Sequence, residues 1–405
     1  MVDARGAGAS GVGRRLRIGV VTAFPPGRNS LNEYGFHLVR HLSRLEEVSD
    51  VVVYADQTEM GAPAPLDRVT FVPSWTFNDL LTVPRITRAI RRTRPDAVIL
   101  NLQFATFGDR RVPGALGLLL PAILRMRHLP TLVILHNLAD NVDMRDAGFA
   151  RSAVSARLLT LAGRILTRAL LRADIVALTI PRYVEFLRDR YRAANAVLAP
   201  HGSFEEIARP SFGIPPGRRT IMAFGKWGTY KTVDLLVDAY RLLLDRGYDD
   251  LRLVLAGTDS PNSPGYMAEA ARRCADVPGI EMPGYVAEED VAPLFLSAAV
   301  VAFPYTSTTG SSGVLHQAGE YGRAAVLPRI GDLVDVIEEE GFQGVYFEPG
   351  DVTSLADALA TVLDDPERRQ MIGRRNFAAA SGVPMSEVVQ WHLAHIDRLL
   401  ERRRS

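Results

Sequence analysis

The sequence predicts an α/β fold of two Rossmann-like domains, each a doubly wound parallel sheet, and three observations support that prediction. The chain has 405 residues, which is long for one compact domain. Short apolar runs typical of buried strands alternate with amphipathic helical segments in both halves. A proline-rich stretch at 200–219 separates the two series and indicates an interdomain linker.

The first domain is predicted for residues 14–200. Its strands are predicted at Arg17–Thr22, Val51–Tyr54, Ala97–Leu100, Thr131–Leu135 and Ile175–Leu178, with a first helix at Leu31–Leu45. Residues 1–13 are rich in Gly and Ala and lack periodicity, which predicts a disordered tail. The apolar run 18–24 follows several arginines but is too short for a signal peptide, so a first strand explains it better.

The second domain is predicted for residues 201–384. Its strands are predicted at Thr220–Phe224, Leu251–Ala256, Ile280–Met282, Val300–Phe303, Ala325–Pro328 and Gly344–Phe347. Its helices are predicted at Thr232–Arg246, Tyr266–Cys274, Asp290–Ala298, Gly313–Gly322, Leu333–Glu340, Val352–Leu363 and Pro366–Phe377. The last amphipathic segment, 385–405, does not connect two predicted strands. We expect it to pack back on the first domain. A ligand is expected at the carboxyl ends of the strands, between the domains.

Composition excludes several classes of protein. The net charge of +1 gives no global field for nucleic acid, so we expect no nucleic-acid partner. The single cysteine, Cys274, excludes an intramolecular disulfide and a zinc site built on several thiolates, and it suits a reducing cytosol. No stretch reaches the ~18 apolar residues that a bilayer span requires. We therefore expect a cytoplasmic protein.

An arginine-rich amphipathic stretch at 150–173 and the apolar run at 116–124 are candidates for peripheral membrane contact. Cationic and apolar side chains together suit an anionic lipid surface. The alternative is an ordinary pair of helices whose arginines lie in solvent.

The stretch from Phe224 to Lys231 is the most informative for chemistry. We predict that a strand ends at Phe224, that a loop follows, and that a helix begins near Thr232. Lys226 and Lys231 then flank the loop, and two cations suit a diphosphate group. The alternative is two solvated loop lysines.

A second anion-binding element is predicted between Ser307 and Leu315. Small residues there let a ligand approach the backbone, and the N–H groups of residues 312–315 open a helix, where anions bind. We therefore assign Ser312, Gly313, Val314 and Leu315 to diphosphate binding. The alternative is a tight strand-to-helix turn capped by Ser and Thr.

Several segments of the chain occur in the order and spacing of one family's motifs over residues 197–380. They are Gly225–Thr232 ("G-R-x-x-x-x-K-G", with Lys226 at the arginine and Thr232 at the last glycine), Leu253–Gly257 ("L-x-I-x-G"), Pro283–Val286 ("x-G-x-V"), Gly331–Ile337 ("G-G-x-x-E-V-I") and the segment from Gly350 ("G-D-x-x-x-L-A-x-A-I"). Weaker matches are the loop 25–28, Ile134–Asn137 ("T-x-H-D") and Pro200–Gly202 ("P-N-G-V"). On these residues the chain resembles the retaining GT-B glycosyltransferases of glycosyltransferase family 4.

The resemblance implies a GT-B fold, in which two Rossmann-like domains face each other across a cleft. It implies transfer of a sugar from a nucleotide diphosphate sugar, a UDP- or GDP-sugar. The acceptor would be a glycan, a lipid-linked molecule or a small molecule. It further implies retention of anomeric configuration without a metal or other cofactor. The implied roles are catalysis by His136, Lys226 and Lys231, donor sugar and ribose binding by Thr309, Gly310 and Gln317, nucleobase binding by Tyr285 and Val286, and acceptor binding by Gly27, Arg28 and Asn29.

One departure from the family pattern bears on activity. The family carries two glutamates, at the donor sugar and at the ribose, where this chain has Thr309 and Gln317. A shifted register would use Glu320 instead but would misplace Gly322. Two alternatives to a transferase therefore stay open, a nucleotide-sugar-binding protein with weakened catalysis and a sugar-nucleotide epimerase. His136 also has an alternative, as a structural histidine after a buried strand.

Overall fold

The computed structural model describes residues 14–27, 29, 31–137, 153–204, 209–260, 263–306 and 312–404. The predicted tail, Arg28, Thr309 and Gly310 lie outside these residues. The chain divides into two compact units. The first comprises the described parts of Met1–Leu135, Arg168–Ala177 and Val389–Ser405, and the second those of His136–Thr167 and Leu178–Val388.

Strands and helices alternate along the first part of the chain. The elements are β1 (Leu16–Val21), α1 (Asn32–Leu42), β2 (Val48–Tyr54), β3 (Val69–Phe71), α2 (Thr82–Thr93), β4 (Ala97–Leu102), α3 (Arg111–Gly117), α4 (Leu120–Met126), β5 (Thr131–Leu135), α5 (Ala153–Leu170), β6 (Ile175–Leu178), α6 (Pro181–Tyr191) and β7 (Ala196–Leu198). They form a seven-stranded sheet in the order β3-β2-β1-β4-β5-β6-β7. Strand β1 pairs in parallel with both β2 and β4, so the strand order reverses there.

The second series repeats the alternation. Its elements are β8 (Arg219–Trp227), α7 (Asp234–Asp245), β9 (Leu251–Asp259), α8 (Tyr266–Arg273), β10 (Ile280–Gly284), α9 (Glu288–Ser297), β11 (Ala298–Ala302), α10 (Gly313–Glu320), β12 (Ala324–Pro328), α11 (Gly331–Glu339), β13 (Gly344–Phe347), α12 (Val352–Asp364), α13 (Pro366–Ser381) and α14 (Met385–Arg404). The sheet is parallel, in the order β10-β9-β8-β11-β12-β13. Strand β8 therefore occupies the reversal point that β1 occupies in the first sheet.

Side chains of β8 and β9 alternate between the two faces of this sheet. Ile221 and Ala223 pack into one buried cluster, whereas Met222 packs into the other. Both faces are thus buried, as the continuous apolar runs of the sequence predict for parallel strands. The prediction of two parallel-sheet α/β domains is confirmed.

Strand β8 is longer than predicted, and this corrects the position of Lys226. The pairing with β9 continues past Phe224 to Trp227, so Lys226 lies on the strand and not in a loop. Trp227 explains the extension, because its ring is fully buried and its Nε1 donates to the carbonyl of Ala256 at 2.9 Å. Gly257 permits it, since a Cβ atom there would lie 1.9 Å from the carbonyl oxygen of Gly225.

Two short strands, β3 and β7, were not predicted from the sequence, and each has only three residues. The remaining predicted strands agree with the structure to within a few residues at each end. In the part of the chain that the structure describes, no helix combines the length and apolar character needed to cross a bilayer.

Candidate functional site

Only two of the 47 Lys and Arg residues of the sequence are lysines. Lys226 lies near the carboxyl end of β8, and Lys231 lies in the loop that follows. A lysine ammonium is a compact point charge on a flexible stem, whereas arginine offers a fixed planar fork. The ammonium side chains of this chain are therefore gathered at one place, the reversal point of the second sheet. Ligands of open α/β sheets bind at such points.

The structure holds the backbone of Lys231 from two sides. Its carbonyl accepts from the N–H of Gly228 at 2.9 Å, and Lys231 forms an antiparallel bridge with Tyr305. The N–H of Thr306 donates to the carbonyl of Tyr230 at 2.8 Å. These bonds tie the loop after β8 to the segment that follows β11.

The side chain of Lys231 folds back over Gly225. A Cβ atom at Gly225 would lie 3.1 Å from Lys231 Nζ and 3.2 Å from its Cδ, so only glycine leaves room for this arrangement. The ammonium lies 4.5 Å from the ring centroid of Tyr305, a cation–π contact. No carboxylate of the described residues pairs with it. A half-buried ammonium without a carboxylate is suited to an external anion.

Tyr305 links the lysine to the start of α10. Its hydroxyl lies 3.3 Å from Ser312 Oγ, and burial raises its pKa, so the hydroxyl stays protonated. Ser312 has extended backbone angles at the N-cap and makes no side-chain capping bond. The N–H of Leu315 donates to the Ser312 carbonyl at 2.8 Å, so the helix itself uses one of the four N–H groups predicted for diphosphate. Ser312, Gly313 and Val314 remain as candidate donors.

The buried face of α10 carries Gln317 and Glu320. Glu320 Oε1 accepts from the N–H of Phe204 at 2.6 Å, so this carboxylate anchors the segment that precedes the second sheet. This bond gives Glu320 a structural role, and its use in a shifted register stays a prediction. Gln317 is 5% exposed and lies one turn after Gly313, on the same side of the helix.

Three histidines, His136, His201 and His316 of α10, form an array. Of these, only His136 was a predicted site residue. The ring centroids of His136 and His201 are 6.0 Å apart, and those of His201 and His316 are 4.6 Å apart and nearly parallel. His316 Nε2 lies 3.2 Å from Glu340 Oε2. Desolvation lowers the pKa of His136 to about 3, so its ring is neutral at physiological pH and offers hydrogen bonds, not charge.

The predicted nucleobase residues follow β10, the edge strand of the second sheet. Gly284 has a positive φ of 75° and turns the chain, and Tyr285 after it is 58% exposed. Val286 is half-buried and packs against the core. An aromatic ring at a strand end is of a type that can stack on a base.

Two predicted acceptor residues, Gly27 and Asn29, lie in the loop after β1, which Asp56 organises. The buried carboxylate of Asp56 accepts from the N–H of Phe24 at 3.0 Å and from Asn29 Nδ2 at 2.6 Å. Gly27 is buried against it, since a Cβ atom there would lie 3.0 Å from Asp56 Oδ2. The amide of Asn29 is therefore engaged within the loop, and the contribution of Asp56 was not predicted.

Within the described residues, no group of three or more His, Cys, Asp and Glu side chains could hold a metal ion. The expectation of a metal-free site stays a prediction.

Comparison with solved structures defines the class of fold. The chain aligns with sucrose-phosphate synthase from Thermosynechococcus elongatus at a TM-score of 0.73 and 15% identity, over 96% of this chain and 100% of that one. It aligns with Anabaena HepE in complex with UDP-glucose at a TM-score of 0.67 and 16% identity, over 95% and 100%. The fold is therefore GT-B, as the resemblance implied.

Sequence comparison finds similarity to one family of glycosyltransferases. Residues 218–365 match the family model described as glycosyl transferases group 1. The D-inositol 3-phosphate glycosyltransferase of Corynebacterium glutamicum is 27% identical over 50% of this chain and 51% of its own length. The chain thus spans about half the length of the curated relatives that it matches first. The resemblance is confirmed at the level of group 1 and the GT-B fold.

Proposed function

We propose that the chain is a retaining glycosyltransferase that moves a sugar from a UDP- or GDP-sugar to a glycan, lipid-linked or small-molecule acceptor. The group 1 match supports transfer chemistry, and the relatives are named as glycosyltransferases. HepE, which shares the fold, is described in complex with UDP-glucose. Retention of configuration and the absence of a metal requirement follow the family resemblance and are part of the proposal.

The observation that carries the proposal is the arrangement of Lys231 and α10. The Lys231 ammonium rests on Tyr305, whose hydroxyl reaches Ser312 at the start of the helix. The positive charge and the N–H groups at the helix start both attract a diphosphate. In transfer the bond between the sugar and the diphosphate breaks and negative charge grows on the leaving phosphate. Fixed positive groups stabilise that charge most in the transition state.

His136 has a supporting role in this proposal. Because desolvation keeps its ring neutral, it hydrogen-bonds the sugar or the acceptor and does not add charge. The leaving phosphate takes the proton of the acceptor hydroxyl, so no side-chain base is required. Gln317, with an amide in place of a carboxylate, hydrogen-bonds the ribose.

A second candidate function is favoured by one specific observation. Thr309 and Gln317 stand where the family has glutamates, and neither supplies negative charge to an oxocarbenium-like centre. The chain would then bind the nucleotide sugar at the same phosphate site and turn it over slowly. Product analysis separates the two functions, because a transferase yields a glycosylated acceptor and a binding protein returns the donor unchanged. An epimerised donor would contradict both.

Lysine footprinting tests the phosphate site directly. Since the chain has only two lysines, an amine-acetylating reagent modifies Lys226, Lys231 and the terminal amine alone, and mass spectrometry reads each site separately. We expect UDP-glucose or GDP-mannose at saturation to slow acetylation of Lys231 at least about tenfold, since a bound phosphate occupies the ammonium. The terminal amine serves as the internal control.

Equal acetylation of Lys231 with and without every nucleotide sugar would contradict the assigned site. The stereochemical part of the proposal is read by NMR of the product anomer, where inversion would exclude retention. Transfer that stops with a chelator and returns with a divalent cation would exclude the metal-free mechanism.

We also propose that the protein is cytoplasmic and makes peripheral membrane contact. Leu161 and Ile165 of α5 are exposed, and they lie one turn apart on one side of the helix. Co-sedimentation with anionic vesicles tests the contact. Loss of binding in a Leu161→Ser/Ile165→Ser variant supports it, and binding unchanged by both substitutions places the contact elsewhere.

A further inference from the structure

His201 occupies the middle of the histidine array and approaches the start of α10. Its Nε2 is the nearest heavy atom to a Cβ built on Gly313, at 4.0 Å. The imidazole stacks on His316, with an angle of 24° between the ring planes. The same ring is 6% exposed, so little of the imidazole meets solvent.

The hydrogen bond at the other nitrogen defines the protonation of this edge. His201 Nδ1 lies 3.1 Å from the carbonyl oxygen of Gly202, and a carbonyl only accepts, so Nδ1 carries a hydrogen. Nε2 then carries a hydrogen only when the ring is an imidazolium. The Nε2 edge toward Gly313 can therefore donate a hydrogen bond to an anion only when the His201 ring is charged.

The ring of His201 is held by two neighbouring rings. Phe204 packs at 5.3 Å between ring centroids, and His316 stacks on it at 4.6 Å. His316 is itself fixed, by Glu340 at 3.2 Å and by an edge-on contact with Phe342 at 5.0 Å. All of these side chains are buried or nearly so, which leaves His201 little freedom to turn away.

We propose that His201 contacts a phosphate of the donor as an imidazolium, and that His316 and Glu340 position its ring, so that donor binding takes up one proton. The proposal rests on the proposed function, because it places the donor diphosphate at α10. It adds a phosphate-contacting residue at the place where the family motif "P-N-G-V" has an asparagine.

The titratable groups around His201 are His136, His316, Glu340 and Glu320. His136 stays neutral across physiological pH, because desolvation lowers its pKa to about 3. Glu340 faces the array through His316, and Glu320 of α10 is bonded to the backbone of Phe204. A phosphate beside His201 raises its pKa in the complex. Affinity is then greatest below the pKa of the free ring and falls about tenfold per pH unit above it, until the pKa of the complex is passed.

Calorimetric titration with UDP-glucose and GDP-mannose between about pH 5.5 and pH 8.5 tests this prediction. Sugar nucleotides are the right probes because their phosphates carry no proton that titrates in this range, unlike free UDP. Two buffers with different ionisation heats report the protons taken up. We expect close to one proton per donor and a Kd that rises at least about tenfold across the range.

Three variants separate the roles. His201→Asn is expected to bind with a Kd that hardly changes with pH. Glu340→Gln removes a negative charge from the array and should move the midpoint of the pH profile to lower pH. His128→Asn is the matched control, because His128 is exposed in the first unit and the change should leave the pH profile intact.

A His201→Asn variant that keeps the full pH dependence would overturn the inference while leaving the proposed function standing. Failure of every nucleotide sugar to bind at any pH would instead overturn the proposed function. If the variant does not fold, the NMR titration of the His201 ring in the wild-type protein decides. A donor-induced rise in its pKa supports the proposal, and an unchanged pKa contradicts it.

Discussion

The loops at the reversal points of the two sheets are built on side chains of opposite charge. Strand β1 of the first sheet and strand β8 of the second both lie where the strand order reverses. The loop after β1 is built around the buried carboxylate of Asp56. The loop after β8 carries Lys231, which has no carboxylate partner among the described residues and rests on Tyr305.

This difference bears on which of the two loops can bind a diphosphate. A buried carboxylate repels a diphosphate, whereas an ammonium and a helix start attract it. Among the described residues, the loop after β8 therefore suits an anion better than the surroundings of Asp56 do. Residue chemistry at the strand ends, and not the fold, assigns the role of each sheet.

The largest expected effect comes from removing the positive charge. Lys231→Ala should lower the rate of transfer by about 10²–10³-fold, because a fixed group that stabilises leaving-group charge is lost. The melting temperature should hardly change, since the ammonium pairs with no carboxylate of the described residues. Steady-state kinetics at saturating donor, with a thermal melt, measures both.

Arg272→Ala is the matched control for that variant. Arg272 lies in an exposed ion pair with Glu269 on α8, so its loss should leave transfer within about twofold. Near-normal transfer by Lys231→Ala would contradict this prediction, because the positive charge in the loop after β8 would then not contribute to the rate.

A smaller effect, and on stability, is expected from the opposite charge. Asp56→Ala leaves the N–H of Phe24 and the amide of Asn29 without their acceptor, which should lower the free energy of unfolding by about 2 kcal/mol. The acceptor KM should rise while the donor Kd stays within about twofold. Denaturant unfolding and calorimetry measure these quantities.

Asp67→Ala provides the baseline for the Asp56 variant. Asp67 is exposed in the same unit, and surface changes of this kind typically alter stability by less than about 0.5 kcal/mol. A tenfold weaker donor Kd in Asp56→Ala would contradict the division of tasks between the two sheets.

The sequence predicted the sheets better than the loops between them. The strands Thr131–Leu135 and Gly344–Phe347 have the predicted bounds. In both, a short apolar run next to turn residues marks where the strand begins and ends. The end of β8 was predicted too early, because Gly225 and Lys226 resemble the start of a loop. The pairing with β9, which continues from Gly225 to Trp227, shows that the strand goes on.

The site was predictable where neighbouring residues build it and not where distant ones do. Lys226 and Lys231 lie in one short segment with a recognisable spacing. His201, His316 and Glu340 come from three separate segments, and no local pattern indicates that they meet. Asp56 was missed for the same reason, because its partners Phe24 and Asn29 lie in the loop after a different strand.

The smallest expected effect sharpens the comparison by moving the charge without removing it. Gly225→Ala places a Cβ atom 3.1 Å from Lys231 Nζ and 3.2 Å from its Cδ, at a residue with φ of 152°. We expect the displaced ammonium to weaken donor binding about tenfold, equivalent to about 1.4 kcal/mol. Gly247→Ala is the matched control, since its φ of 92° imposes similar backbone strain but nothing lies within 4 Å of its Cβ position. Calorimetry on both variants separates strain from displacement. Equal losses of affinity in the two would mean that the position of the Lys231 ammonium is unimportant, whereas a loss confined to Gly225→Ala shows that the second sheet binds phosphate through a charge held in one place.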